Sequence, residues 1–401
     1  MNLAFGAEYR TERFNIFAGE EGSYATYDTN HIPITDPTTQ TAPTDPISGN
    51  PRPGGSQGFP GYSPANEVDR SRSNLSLYAD SEFDFTEKLL VSAAVRFENY
   101  SDFGSTLNGK LASRLKITDK INLRASASTG FRAPSLAQIY YNLHFTNFNG
   151  SGATEVLLAP NNSAVTKAFG IDKLKEETAK NASLGFTASF GDFTATIDGY
   201  VIHVDNRIVL TGYFDATALN IGVSEAQFFT NGVDTNTRGL DLVLAYKKAF
   251  GDSKIGATIV GNINDMRIDE VKSKGLDEGT FFGAREKGFL LASAPKNKFG
   301  LNLNYERKWF DAGLAFTHFS KVVLIDYADE EDVYNAKTVT DLTFGFKLTK
   351  NLKLSVGSNN LLNIYPTKQD EQGNTEAGGY WDSVQMGFSG AYYYARLGLK
   401  F

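Results

Sequence analysis

Three groups of side chains in this 401-residue chain have the types that chemistry uses. His203 and Asp205 sit two residues apart, so on one strand they share a face. That is the pairing of an imidazole with the carboxylate that orients it in a hydrolytic site. No activated serine is visible beside them, and no catalytic residue is assigned. Asp326, Asp329, Glu330, Glu331 and Asp332 could gather calcium, which takes several oxygen ligands. They lack the glycine-bearing spacing of a calcium loop, so a solvated acidic loop is the simpler reading and no metal site is assigned. The third group is aromatic: Tyr140, Tyr141, His144, Phe145 and Phe148. Rings clustered in one loop can stack on a flat ligand, and a neutral imidazole suits iron. Packing among loops is the simpler account of the rings, and a surface histidine without a role the simpler account of His144.

What must position these residues is a set of strands. Around Ala179–Leu210, Ala182, Leu184, Phe186, Ala188 and Phe190 alternate with Asn181, Ser183, Gly185, Thr187 and Ser189. After Gly191-Asp192 the alternation restarts with Phe193, Ala195, Ile197, Gly199 and Val201. Period two broken by a two-residue Gly-Asp turn predicts a β-hairpin. Each arm is long enough to cross a tilted bilayer path of about 9–11 residues.

The unit recurs along the chain. Strands are expected at Asn2–Phe17, Asn74–Phe85, Leu89–Tyr100, a fourth carrying Lys110, Arg114 and Lys116, and a fifth from Ile121. The hairpin supplies two more, followed by one carrying Leu240, Leu242 and Leu244, then Lys254–Ile268. Later pairs meet at Glu306-Arg307-Lys308 and Thr349-Lys350-Asn351, and the last ends at Phe401. Long loops are expected near 19–73, 130–177, 211–236, 269–294, 326–335 and 366–385. The reading is all-β: a transmembrane, antiparallel, up-and-down β-barrel wall of about fourteen strands with little helix. Short turns alternate almost strictly with long loops, the exception being a short break near Gly104, as in outer-membrane barrels. Arg10, Glu82, Arg96, Arg114, Arg124, Asp241, Lys347 and Arg396 share the parity opposite the apolar one. A Lys or Arg on the lipid face at mid-bilayer costs about 2–4 kcal/mol. A soluble β-sandwich would alternate too; strand length and loop asymmetry favour the barrel.

Composition narrows the function classes. No run of eighteen apolar residues is present, so a transmembrane helix is excluded. Mean hydropathy of -0.30 looks water-soluble, but a barrel whose strands are half polar looks the same. Thirty Phe, nineteen Tyr and 38 Gly suit strands, tight turns and interfacial aromatic belts. A net charge of -7 gives no reason to expect nucleic acid. With no cysteine there is no disulfide framework, thiolate metal site or cysteine nucleophile. Met1 leads straight into alternating residues with no basic region and apolar core ahead of them. A barrel must be exported, so the chain is expected to be the C-terminal part of a longer precursor.

Several short stretches fall in a telling order. Gly130-Phe131-Arg132-Ala133-Pro134-Ser135 follows the fifth strand, and Leu174-Lys175-Glu176-Glu177-Thr178 precedes the sixth. Asn231-Gly232 and Thr237-Arg238-Gly239-Leu240-Asp241 open the eighth, Asn359-Asn360-Leu361-Leu362-Asn363 closes the thirteenth, and the chain stops at Phe401. Together they resemble the C-terminal barrel of TonB-dependent outer-membrane receptors across nearly all of residues 1–401. The resemblance implies a part of a 22-stranded barrel, with the plug domain and first strands absent from this chain. It implies energy-coupled uptake of a scarce large nutrient such as a ferric siderophore, haem or cobalamin, in the outer membrane of a Gram-negative bacterium. The implied partners are TonB–ExbB–ExbD acting through the plug, outer-membrane lipid and lipopolysaccharide, a small-molecule ligand, and the barrel-assembly machinery at the strand ending in Phe401. Gly398 stands closer to the end than in the usual assembly signal. No cofactor is implied. Under this resemblance Tyr140, Tyr141, His144 and Phe145 are the candidate ligand-binding residues. Gly130, Phe131, Arg132 and Pro134 form a structural loop motif: Gly permits an awkward turn, Pro stops the ladder, and Arg132 can bind loop carboxylates. A passive porin of about fourteen strands is the alternative, and an outer-membrane enzyme a more distant one.

Overall fold

Alternation between apolar and polar residues gives strands whose faces differ, and such strands pair edge to edge to satisfy their backbone groups. A computed structural model of the chain describes every residue except 37–38, 45, 47–50, 53, 57–60, 150–151, 293–294, 327–329 and 370–384; the side chains at 146–149 and 152–153 are also outside it. Asp329, the Phe148 side chain and most of the 366–385 loop therefore lie outside the described residues.

In chain order the elements begin with β1 (Asn2–Ile16), β2 (Val68–Asp84), β3 (Leu89–Tyr100), β4 (Gly104–Thr118) and β5 (Ile121–Arg132). Next come α1 (Leu136–Tyr140), β6 (Leu143–Asn149), β7 (Gly152–Leu158), α2 (Ala164–Ala168), β8 (Glu177–Phe190) and β9 (Phe193–Leu210). β10 (Phe214–Asp215) and β11 (Glu225–Gln227) precede β12 (Phe229–Phe250) and β13 (Ser253–Val271). After α3 (Glu278–Phe281) and α4 (Ala284–Ala292) come β14 (Asn297–Arg307), β15 (Phe310–Phe319), β16 (Val322–Ile325) and β17 (Glu331–Tyr334). The chain closes with β18 (Lys337–Lys347), β19 (Leu352–Asn359) and β20 (Tyr392–Leu399).

Fourteen of these strands form one antiparallel meander, β1-β2-β3-β4-β5-β8-β9-β12-β13-β14-β15-β18-β19-β20. The expected strand number is met. Among the described residues β1 pairs only with β2 and β20 only with β19. The short turns have local causes. Thr86, Thr118 and Thr349 each fold a hydroxyl back onto two following backbone N–H groups at 3.0–3.2 Å. Gly191 and Gly251 take left-handed φ of 59° and 55° in the Gly-Asp turns.

The two faces of the sheet differ as the parity requires. Leu75, Leu107, Leu184, Leu240 and Ile263 stand exposed on one side. So wide an apolar surface is a lipid-facing one. The other side carries ion pairs and amides. Conventional cores lie outside the wall, among the long loops at one end. Ile171, Val209, Phe214, Phe228, Val233, Phe281 and Phe282 form one, with Phe214 stacked on Phe228 at 5.4 Å. There β6, β7, β11 and β10 make a separate four-stranded sheet, and β16 pairs with β17.

Strand ends differ from expectation at the long-loop end. β5 runs through Gly130-Phe131-Arg132, paired with Glu177-Thr178-Ala179, where a loop was expected. β12 starts at Phe229, inside the expected 211–236 loop, and β2 starts at Val68. Here the strands rise past the lipid, so the alternation of apolar with polar residues that marks them lower down no longer operates.

Candidate functional site

Two regions gather polar chemistry: the mouth formed by the loops, and the inner wall below it. The mouth is tied by Arg72 of β2. Its buried guanidinium holds Glu12 across β1, donates to the Pro134 carbonyl at 2.6 Å, and lies over the Tyr100 ring at 5.3 Å. Asp102 stands 3.6 Å away. Phe131 meets Tyr100 edge-on at 5.9 Å. Arg132 forks onto Glu177 across the β5–β8 pair, and Glu177 also accepts the Ile208 N–H at 2.7 Å. Ser135 accepts from Gln138 N–H, capping α1. Gly130, Phe131, Arg132 and Pro134 thus join strand ends to the loop that carries the aromatic residues.

That loop is clasped to the first one. The Tyr62 and Tyr141 hydroxyls are 2.8 Å apart with their rings edge-on, and Asn66 donates to the Asn142 carbonyl at 2.9 Å. Burial, aided by Tyr62, pushes the Tyr141 phenol up to about 12. Arg70 lies 5.6 Å over the Tyr140 ring. A cavity of about 320 Å³ opens beside them, lined by Glu67, Arg70, Tyr140, Asn142 and Pro160. His144 sits on β6, opposite Leu157. The residue is exposed overall, yet partial desolvation of its ring lowers its basicity, opposed by Glu155. Phe145 is half-buried opposite Val156. The structure therefore places Tyr140 and Tyr141 at the seam between two loops, and His144 and Phe145 on the adjoining small sheet.

The inner wall holds a cavity of about 770 Å³, lined by Lys110, Arg124, Tyr200, Asp241, Asn262 and Met266 among others. Arg124 and Asp198 form a two-pronged ion pair that spans β8 by passing over Gly185. Tyr200 lies across Gly239, its cross-strand neighbour, where a Cβ would overlap the ring. Its hydroxyl accepts from Asn262, which also donates to Asp241 at 2.7 Å. Gly6 under Tyr78, Gly345 under Asp311 and Gly357 under Tyr394 repeat the device, each pair directly opposed across the ladder. Sequence reasoning marked Arg124 and Asp241 as polar-face charges but missed the glycine partners and Arg72. The glycines' only signal is a polar residue on the inward parity opposite them one strand away.

The other candidates do not assemble a site. His203 and Asp205 lie 2.9 Å apart on the outward face, away from the cavity. Asp326 accepts from Glu330 N–H at 2.9 Å, and Glu331 and Asp332 pair with Ile325 and Leu324. No grouping of three or more metal-ligating side chains is present among the described residues.

An antiparallel meander with an apolar outside, a charged inside, short turns at one end and folded loops at the other is the wall of an outer-membrane β-barrel. Residues 2–361 match the family described as "TonB dependent receptor-like, beta-barrel", and the chain belongs to that family. The family's members are receptors and transporters of the Gram-negative outer membrane rather than enzymes. The vitamin B12 transporter BtuB of Vibrio vulnificus is 22% identical over 307 residues, 76% of this chain and 40% of the relative. The heme/hemopexin utilization protein C of Haemophilus influenzae is 24% identical over 294 residues, 69% of this chain and 38% of the relative. A mutant of the ferric enterobactin receptor PfeA of Pseudomonas aeruginosa superposes with a TM-score of 0.64 at 16% identity, covering 100% of this chain and 51% of that one. The siderophore receptor PirA of Acinetobacter baumannii gives 0.62 at 17% identity, covering 100% and 52%. The chain spans about half or less of the length of the relatives it matches.

Proposed function

We propose that this chain is the C-terminal wall of a receptor that imports a scarce large nutrient, such as a ferric siderophore, haem or cobalamin, by TonB-dependent uptake. The remaining strands and a plug come from residues preceding it, and TonB–ExbB–ExbD acts through that plug. The observation that carries this reading is the family match over residues 2–361, on a wall that aligns with about half of longer receptor barrels. The ligand meets the mouth at Tyr140, Tyr141, His144 and Phe145, where the clasped loops present aromatic surface beside the Arg70 cavity. The inner wall supplies the polar lining of the route. A passive fourteen-stranded porin fits less well, since β1 and β20 do not pair with each other among the described residues.

The test is uptake by cells whose only outer-membrane route is the intact receptor carrying this chain. The substrates are a panel of labelled ferric siderophores, haemin and cyanocobalamin. Import of one of them should cease on deleting TonB or collapsing the proton gradient. Changing Tyr140 and Tyr141 together to Ala should weaken its binding by about tenfold, the loss of roughly 1.4 kcal/mol of aromatic contact. Import that persists without TonB would make the protein a passive pore.

A further inference from the structure

Cross-strand register fixes which way each side chain of β8, β9, β12 and β13 points. On the lipid side, four successive rows carry no charge, from Phe190–Phe193 at the short turn up to Leu184–Gly199–Leu240–Ile263. From Phe193 to Val201 the strand matches the roughly 9–11 residues of a bilayer crossing. The next row reads Ala182–Val201–Arg238–Asp265, and the one above Lys180–His203–Asn236–Arg267. The charge begins where hydrocarbon gives way to headgroups, on the same outward face.

The arrangement has a surplus of cations. Asp265 accepts from Arg267 Nε at 2.8 Å and has Lys296 Nζ at 3.8 Å. The Arg238 side chain, directly opposite Asp265, makes no hydrogen bond or ion pair among the described residues. Two cations therefore share one carboxylate with a third on the facing strand, and the Arg267 and Lys296 side chains are 75% and 76% exposed. The adjoining carboxylates are engaged elsewhere: Asp205 with Lys180 at 3.4 Å and His203 at 2.9 Å, Asp269 with His203 at 3.5 Å. Arg13, an outward cation on β1, is instead matched one-to-one by Asp69 at 2.8 and 2.6 Å.

We propose that Arg238, Arg267 and Lys296 form a binding site for the phosphate groups of an anionic lipid in the outer leaflet. Two guanidinium forks and an ammonium suit phosphate oxygens, and the lipid's chains continue onto the apolar rows below. Asp265 offsets one of the three charges and leaves the group with a net positive surplus. Exposed ion pairs of this kind exchange partners readily, so phosphate competes for both.

The test uses the intact receptor extracted from outer membranes in mild detergent, with bound lipid read by native mass spectrometry and phosphate assay. Its probes are nanodiscs of phosphatidylcholine with and without lipid A. The unaltered protein should retain lipid A from the mixed discs and lose it as salt rises, because screening weakens exposed charge contacts. R238E/R267E/K296E should lower retention about tenfold, whereas R13E should leave it unchanged. D265N, which keeps every cation, should retain at least as much lipid as the unaltered protein. If the triple variant does not fold, D265N and the salt series decide instead. Full retention by the triple variant, salt-independent retention, loss of lipid in D265N, or loss of a co-purifying second copy with lipid unchanged would overturn the proposal.

Discussion

Gly239→Ala isolates what a missing Cβ does in this wall. The new methyl would stand 2.7 Å from Cε1 of Tyr200 and closer still to the hydroxyl end of the ring, with no backbone atom among its closest contacts. Tyr200 must therefore swing off the sheet. It would lose its Asn262 hydrogen bond, worth about 1 kcal/mol. Re-exposing about 50 Å² of ring face at about 25 cal/mol per Å² adds roughly 1.3 kcal/mol. Against this, Ala is better suited to a strand than Gly by up to about 1 kcal/mol. The net loss is about 1–2 kcal/mol. In a Tyr200→Ala background the same change should be neutral or stabilising, because nothing remains to displace. The double-mutant cycle should thus give a coupling of about 2 kcal/mol. Urea unfolding of the intact receptor in phospholipid vesicles, followed by heat-dependent gel mobility, measures it. Equal cost of Gly239→Ala in both backgrounds would refute the steric argument.

Other perturbations reach the mouth. Arg72→Ala should cost about 3–5 kcal/mol by leaving Glu12 and Asp102 without their buried cation, read as a lower melting temperature and faster proteolysis of the 17–67 loop. Arg72→Lys should recover little, since an ammonium cannot fork between Glu12 and the Pro134 carbonyl. Tyr141 has a folded value above its unfolded one. Its contribution is therefore complete below about pH 10 and is lost as pH rises through about 12. Phenolate absorbance should show a late-titrating component that Tyr141→Phe reduces by one tyrosine; an unchanged titration would contradict the clasp. His144 should titrate below the usual imidazole value of about 6.5 in a proton NMR titration, and a midpoint above it would show that Glu155 outweighs desolvation.

The strand number and the short turns were legible because both have local signals. Period two runs through Ala182–Phe190 and Phe193–Val201, and Gly191-Asp192 breaks it. The upper ends of β5 and β12 were not, because Thr129, Asn236 and Arg238 interrupt the apolar parity there. Above the lipid no face must be apolar, so alternation stops reporting the strand. The loop sheets were hidden for another reason: β7 pairs in parallel with β11, far along the chain, and nothing near Leu157 announces Ala226. The aromatic stretch at 140–145 was visible as composition, but its partners Tyr62 and Asn66 lie in a loop rich in Pro and Gly. The glycine slots were unreadable because Gly239 owes its identity to Tyr200 on another strand.

The contrast between short turns and long loops, broken only by the brief β3–β4 connection among the described strands of the wall, also sets a timetable for assembly. Each short turn joins neighbours such as β8 and β9 that can meet within about 1–10 μs as a hairpin. Joining β1 to β2 requires closing a loop of roughly fifty residues, which adds about 3 kcal/mol of chain entropy relative to a two-residue turn. Hairpins closed at the short-turn end therefore form first, and the sheet grows by docking them pairwise. Since the mouth residues Tyr62 and Tyr141 belong to two different long loops, their clasp closes only after the strands beneath them are in register.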